Sequence, residues 1–135
     1  MSINDFINLN PKYKLVFTKN EIDGLVFTDM GYAMAVLLQD QTILSVAATS
    51  VFDSVVAKGV YTHSVYGKYL AIKNIGILFE PALRLNIRML FESISQDTLL
   101  VVCSDGVIKN DYYYFNEHTK DYDISVSGLS YLVIK

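Results

Sequence analysis

The chain has 135 residues, enough for one domain that buries about two-thirds of the surface exposed by its unfolded form. Apolar residues make up 52% and charged residues 19%, which excludes a disordered chain. Net charge is −3 and the eleven basic residues form no run, so no global field draws in nucleic acid or an anionic membrane.

Residues 1–11 read as a loose lead-in, rich in Asn and closed by Pro11, with Phe6 and Ile7 able to dock on the body. This start lacks the basic-then-apolar order of a signal peptide. Tyr13–Thr18 alternates and predicts a strand with Tyr13, Leu15 and Phe17 on one face. Lys19–Gly24 predicts a turn. Leu25–Thr28 is strand-like, which leaves a β-hairpin over Tyr13–Thr28 as one option. Asp29 is a suitable N-cap, and Met30, Ala33, Met34, Leu37 and Leu38 keep the spacing of one helical face. A helix is expected over Met30–Gln39, with a buried strand over Tyr32–Leu38 as the alternative.

Thr42–Ala48 is short, apolar and partly β-branched, and predicts a strand. Thr49 or Ser50 then caps a helix that stops at Gly59. Val60–Lys68 suits either an extended loop or an edge strand. Tyr69–Ile72 reads as an interior strand, and Ile75–Phe79 as an apolar loop tucked against the sheet. Pro81 suits the first turn of a helix. Leu83, Ile87, Leu90, Phe91 and Ile94 share one face of it, while Arg84, Arg88 and Glu92 share another. Thr98–Val102 is continuously apolar, the mark of a strand covered on both faces.

The tail, residues 104–135, reads as β-rich. Val107–Ile108 and Tyr112–Phe115 can pair across Lys109–Asp111. Glu117–Asp123 is a polar loop, and Ile124–Ser127 and Tyr131–Ile134 flank Gly128 as short strands. The fold class expected is α/β: a mostly parallel sheet with helices on its faces, plus a β-hairpin-rich tail, in one domain.

Chemistry-bearing motifs are sparse. There is no GxxxxGK[ST], GxGxxG or GxSxG. Cys103 is the only cysteine, which fits a reducing cytoplasm and reads as a small core residue. His63 and His118 are far apart in sequence, so no zinc set is expected, and no cofactor is implied. Asp105, Asp111, Glu117, Asp121 and Asp123 read as a solvated face; their spacing fits no EF-hand. Arg84 and Arg88 could grip a phosphate or carboxylate, against the plainer reading of a solvated helix face. Tyr112 and Tyr114 share one strand face and Tyr113 and Phe115 the other, so one aromatic face is expected outside. Arg84, Arg88, Tyr112 and Tyr114 are therefore the candidate partner surface. The longest apolar runs fall short of the ~20 residues of a membrane span.

The run AIKNIGILFEPALRLNIRMLFESISQDTLLVV, residues 71–102, resembles the C-terminal half of small P-loop proteins of BREX-type phage-exclusion operons, the BrxF-like family. The matching residues are Asn74, Ile75, Ile77, Leu78, Phe79, Glu80, Pro81 and Leu83. The resemblance implies a P-loop-NTPase-like core, with Tyr13–Thr18 beside Tyr69–Ile72 in a parallel sheet. It also implies a degenerate nucleotide site. KNEIDGLVF stands where the P-loop would be and keeps only Gly24; Lys73 replaces a metal-binding Asp, and Gly76 a catalytic Glu. Without phosphate, metal and water activation, P-loop phosphoryl transfer is not expected. The function implied is a non-catalytic accessory or scaffolding protein of a phage-defence assembly, working through a protein partner or homo-oligomer. Two alternatives stand beside it: a small nucleotide- or phosphate-binding enzyme with an unrecognised site, and an immunity or binding module that uses the tail hairpin.

Overall fold

A computed structural model describes residues 1–116 and 119–135. Helix α1 (Ile3–Asn8) opens the chain, capped reciprocally by Ser2 and Asp5. Strand β1 (Leu15–Thr18) is buried at every residue. Strand β2 (Phe27–Asp29) leads directly into α2 (Met30–Leu38), and α3 (Leu44–Gly59) follows. Strands β3 (Val60–His63) and β4 (Gly67–Lys73) form a hairpin. Two 3₁₀ turns, Ile75–Phe79 and Pro81–Leu83, then lead to α4 (Ile87–Ser95) and β5 (Leu99–Cys103). Strands β6 (Val107–Lys109), β7 (Tyr112–Asn116) and β8 (Thr119–Ser125) make a separate antiparallel sheet, and β9 (Tyr131–Ile134) ends the chain's last element.

The main sheet runs β2-β4-β5-β1-β9, with every neighbouring pair parallel. Strand β3 shares the β2 side of β4, pairing its first residues antiparallel while β2 pairs its last. Alternate side chains go to opposite faces. Leu15, Phe17, Leu70, Ile72, Leu100 and Val102 join α2, α3 and α4 in the larger core. Val16, Ala71, Leu99 and Val101 face α1, through Ile3 and Phe6, and the irregular segment carrying Ile22 and Leu25. Burial of each of these large side chains contributes roughly 1.5–3 kcal/mol, which is why the middle strands are apolar on both faces.

The α/β class and the mostly parallel sheet stand as expected, with a hairpin sheet in the tail. Several elements differ. The lead-in is helical, because Ser2 and Asp5 satisfy the first free N–H groups. No Tyr13–Thr28 hairpin forms: β2 lies at the far edge, and residues 19–26 cross the second face to reach it. Strand β1 lies beside β5, not β4; residues Leu99–Val102 are fully covered and take the interior place between them. Thr42–Ala48 is not a strand. Helix α3 begins at Leu44, since Ala48, Val51, Phe52, Val55 and Gly59 recur on one helical face and bury together. The helix expected from Pro81 is interrupted at Arg84, whose left-handed backbone (φ 51°) ends one short turn; Asn86 caps the next. Most of Glu117–Asp123 belongs to β8 rather than a polar loop, while Glu117 and His118 lie outside the described residues. Strand β9 is not part of the tail sheet but pairs with β1.

Candidate functional site

In open parallel sheets, ligands bind outside the carboxyl ends of the strands. Here those ends carry Asp29, Lys73, Cys103, Thr18 and Ile134, in sheet order. The edge divides into two halves of different character.

The half made by β2, β4 and β5 is internally paired. Asp29 Oδ1 accepts the Tyr32 backbone N–H at 2.9 Å, which caps α2, and the Asn74 amide at 2.9 Å. Asn74 holds a left-handed backbone (φ 54°), and its amide lies where a Cβ on residue 31 would sit, so Gly31 is required. The Tyr32 N–H, then the Asn74 amide, hold the Asp29 carboxyl below its ordinary range. Lys73 Nζ lies 3.4 Å from Glu21 Oε2. Cys103 is half-buried rather than a core residue; its thiol points at the Lys19 carbonyl, 3.7 Å away. Burial, then the charges of Glu21 and Asp105, push that thiol up, which keeps it protonated and unreactive.

Among the described residues, no imidazole hydrogen-bonds the Cys103 thiol. His63 ends β3 opposite Gly67, at the other end of β4, about 20 Å from Lys73 at ~3.3 Å per residue. Its Nδ1 accepts the Val65 and Tyr66 backbone N–H groups, and its ring stacks on Tyr66. Gly76 sits in a 3₁₀ turn with the Phe115 ring 3.2 Å from where a Cβ would be. The segment after β1 forms no helix, so no row of N–H groups points at a phosphate there. Among the described residues, no three His, Cys, Asp or Glu side chains gather as a metal-ligand set.

The half made by β1 and β9 is open. A cavity of about 720 Å³ lies between their ends and the overhanging β6–β7 hairpin. Its walls are apolar, from Phe17, Tyr131, Val133, Val107 and Ile108. Its polar floor is already satisfied: Ser104 Oγ hydrogen-bonds the Tyr113 hydroxyl, and the Thr18 hydroxyl donates to the Asn20 carbonyl. Burial, chiefly, pushes the Tyr113 phenol up to about 12. Lys19, Lys109 and Lys135 stand among the lining residues, and no carboxylate side chain does.

The four residues singled out as a partner surface do not converge. Arg84 is exposed at the break before α4. Arg88 is half-buried and occupied: Nη1 donates to the Ser125 carbonyl at 3.1 Å, and Nε lies 3.5 Å from Glu92 Oε2. It fastens α4 to β8 instead of awaiting an anion. Tyr112 and Tyr114 lie on the outer face of β7, ring centroids 6.5 Å apart. Tyr113, on the inner face, is buried against Phe17, and Phe115 packs on Phe79.

A different surface stands out. Helix α2 buries Met30, Met34 and Leu38, yet its outer side is apolar too: Tyr32 is 71% exposed, with Val36 and Leu37 beside it. Ile43, Leu44 and Val46 continue this at the start of α3, Val46 being 76% exposed. Six of the fourteen exposed large apolar residues thus fall within residues 32–46. A shallow hollow of about 260 Å³ lies between Tyr32, Val36 and Leu37 on one side and Val55 and Lys58 on the other. The helical period, which assigns Leu37 to the core, does not reveal this face. The signal that does is the absence of any charge from Met30 to Gln39.

Among the described residues, no helix is long and apolar enough to cross a membrane. No protein-family model, curated protein or solved structure matches this chain.

Proposed function

We propose that this chain is a non-catalytic scaffolding protein that works through protein–protein contacts, with a second copy of itself seated on the α2–α3 face. The observation that carries this reading is that α2 is apolar on its outer side as well as its inner one. A helix apolar all round is normally buried on all sides, and a contiguous exposed apolar patch marks an interaction surface. A two-fold interface sets each patch against its own copy, so a charge close to the axis would meet its like. From Met30 to Gln39 there is none, which makes the face compatible with itself. The lack of basic residues there also separates it from a membrane-surface helix, whose polar side is rich in Lys and Arg.

The non-catalytic part rests on the carboxyl edge of the sheet. Lys73 is engaged by Glu21, Asp29 by a cap and an amide, and the Cys103 thiol, raised by burial, points at the Lys19 carbonyl. A phage-defence setting is what the resemblance of residues 71–102 implies, and the reading adopts it on that ground. The test is sedimentation equilibrium of the full chain at micromolar concentration. The wild type is expected as a dimer and Tyr32→Glu/Val46→Glu as a monomer with an unchanged far-ultraviolet circular dichroism spectrum. A wild-type monomer throughout, or a double variant that still dimerises, overturns the dimer. Micromolar binding of Mg-ATP in a calorimeter overturns the non-catalytic reading.

A further inference from the structure

The cavity between β1, β9 and the β6–β7 hairpin plays no part in self-association through α2–α3, and its lining describes a ligand. We propose that it binds a small amphipathic anion: an aromatic or short aliphatic body carrying a single carboxylate or sulfonate head.

Three observations converge on that class. The volume, about 720 Å³, falls in the range of roughly 300–1,000 Å³ typical of small-molecule sites. The walls are hydrocarbon and aromatic, from Phe17, Val107, Ile108, Tyr131 and Val133. The polar groups at its floor satisfy one another, Ser104 with Tyr113 and Thr18 with the Asn20 carbonyl. A polar body would find these side-chain hydroxyls already engaged and would regain little of its lost hydration from them. An apolar body loses nothing by entering.

The head is specified by charge. The protein as a whole is acidic, with a net charge of −3. Yet two side-chain cations that line this cavity, Lys19 and Lys109, meet no lining side-chain carboxylate, and neither is in an ion pair among the described residues. Like charges on a low-dielectric cleft focus a field that raises the local concentration of the opposite ion. Lysine ammonium groups on flexible stems hold a carboxylate or sulfonate as point charges, and need no fixed bidentate geometry. Position agrees as well: at this carboxyl edge the chain leaves β1 toward β2 in one direction across the sheet and leaves β5 toward β9 in the other.

Isothermal titration of the full chain with 2-naphthoate tests this, with 2-naphthylmethanol as the uncharged counterpart of the same body. One naphthoate is expected to bind per chain, at least tenfold more tightly than the alcohol. Lys19→Gln/Lys109→Gln is expected to weaken naphthoate at least tenfold and leave the alcohol unchanged. Val133→Trp, which fills the cavity from an exposed edge-strand position, is expected to abolish both. Thermal melting of each variant, expected unchanged, separates lost binding from lost fold. No binding of naphthoate at millimolar concentration overturns the proposal, as does equal binding of acid and alcohol, or binding that survives Val133→Trp.

Discussion

Phe17 and Tyr113 stack with ring centroids 4.3 Å apart and planes 19° from parallel. Phe17 lies on β1, between β5 and β9 in the parallel sheet, and Tyr113 on the middle strand of the tail sheet. The pair is therefore the joint between two sheets that share no strand. Phe79 with Phe115 and Tyr122, and Arg88 with Ser125, fasten the same tail sheet further along.

Both rings of the joint are buried, so their contribution should be measurable. Phe17→Leu and Tyr113→Leu are each expected to cost ~1–3 kcal/mol, the range of core substitutions that alter shape. The double variant should fall short of the sum by about 0.5–1.5 kcal/mol, the worth of an aromatic pair beyond its buried area. Urea denaturation of the four proteins closes the cycle. Strict additivity would mean that the hairpin sheet is held elsewhere.

The Tyr113 phenol gives an independent reading of the same joint. Burial raises it to about 12, against an ordinary ~10. A raised folded value means that the protonated phenol is the form the fold accommodates. Its stabilising effect is whole below pH ~10, and is lost as pH climbs from there through about 12. Ultraviolet titration of tyrosinate should show a late-ionising step in the wild type that is lost in Tyr113→Phe. The same variant should lose less stability between pH 10 and 12 than the wild type, because its ring has no proton to give up. If Tyr113→Phe leaves the late step in place, it belongs to another residue and the phenol of the joint is not its source.

Gly59 ends α3 against β2 and β4. A Cβ there would lie 2.7 Å from Thr28 Oγ1 and 2.8 Å from Leu70 Cδ1. Two effects oppose each other in Gly59→Ala. Helix propensity favours Ala by about 0.8–1 kcal/mol. Overpacking of a filled site costs about 1–3 kcal/mol. Both contacts are tighter than side chains tolerate, so the clash should win and lower the melting temperature. Adding Thr28→Ala should recover part of the loss. A Gly59→Ala protein more stable than the wild type would show that Thr28 and Leu70 move aside freely.

The same segment shows where the sequence was legible. The stop of α3 at Gly59 and the cap of α2 at Asp29 could be read, because each is a local device with its own residue type. The start of α3 could not. Thr42–Val46 has strand-like composition, and the helical recurrence from Ala48 to Gly59 overrides it only through packing on the sheet. The capping box at Ser2 was present in the sequence but obscured by the scattered asparagines Asn4, Asn8 and Asn10. The left-handed turn at Arg84 has no local signature, and is fixed by Leu83 docking in the core on one side and Asn86 capping α4 on the other. As for the site, its carboxylates, thiol and His63 were visible as residue types. The placing of His63 at the opposite end of β4 from the others is a matter of strand pairing, which their residue types do not encode. The cavity lysines are spread from residue 19 to residue 135, and only the pairing of β1 with β9 and the hairpin overhang bring them together.

Asp29 joins the helix cap to the strand ends, and it is the group whose acid response should be cleanest. Its side chain satisfies the Tyr32 N–H and holds the Asn74 amide, and both favour the charged form. Asp29→Ala should cost ~0.5–2 kcal/mol, as for other helix caps. The lowered folded value sets the sign of the pH effect: the charged carboxylate stabilises the fold above its unfolded value of ~3.9, and this is lost as pH falls through the lower folded one. Asp29→Asn keeps an acceptor for Tyr32 but cannot titrate. It should be modestly less stable than the wild type at neutral pH and draw level with it in acid, whereas Asp29→Ala stays below Asp29→Asn throughout. Chemical denaturation of the three proteins at neutral and acid pH checks this ordering. An Asp29→Asn deficit that persists unchanged into acid would mean that the capping oxygen acts by geometry alone, without its charge.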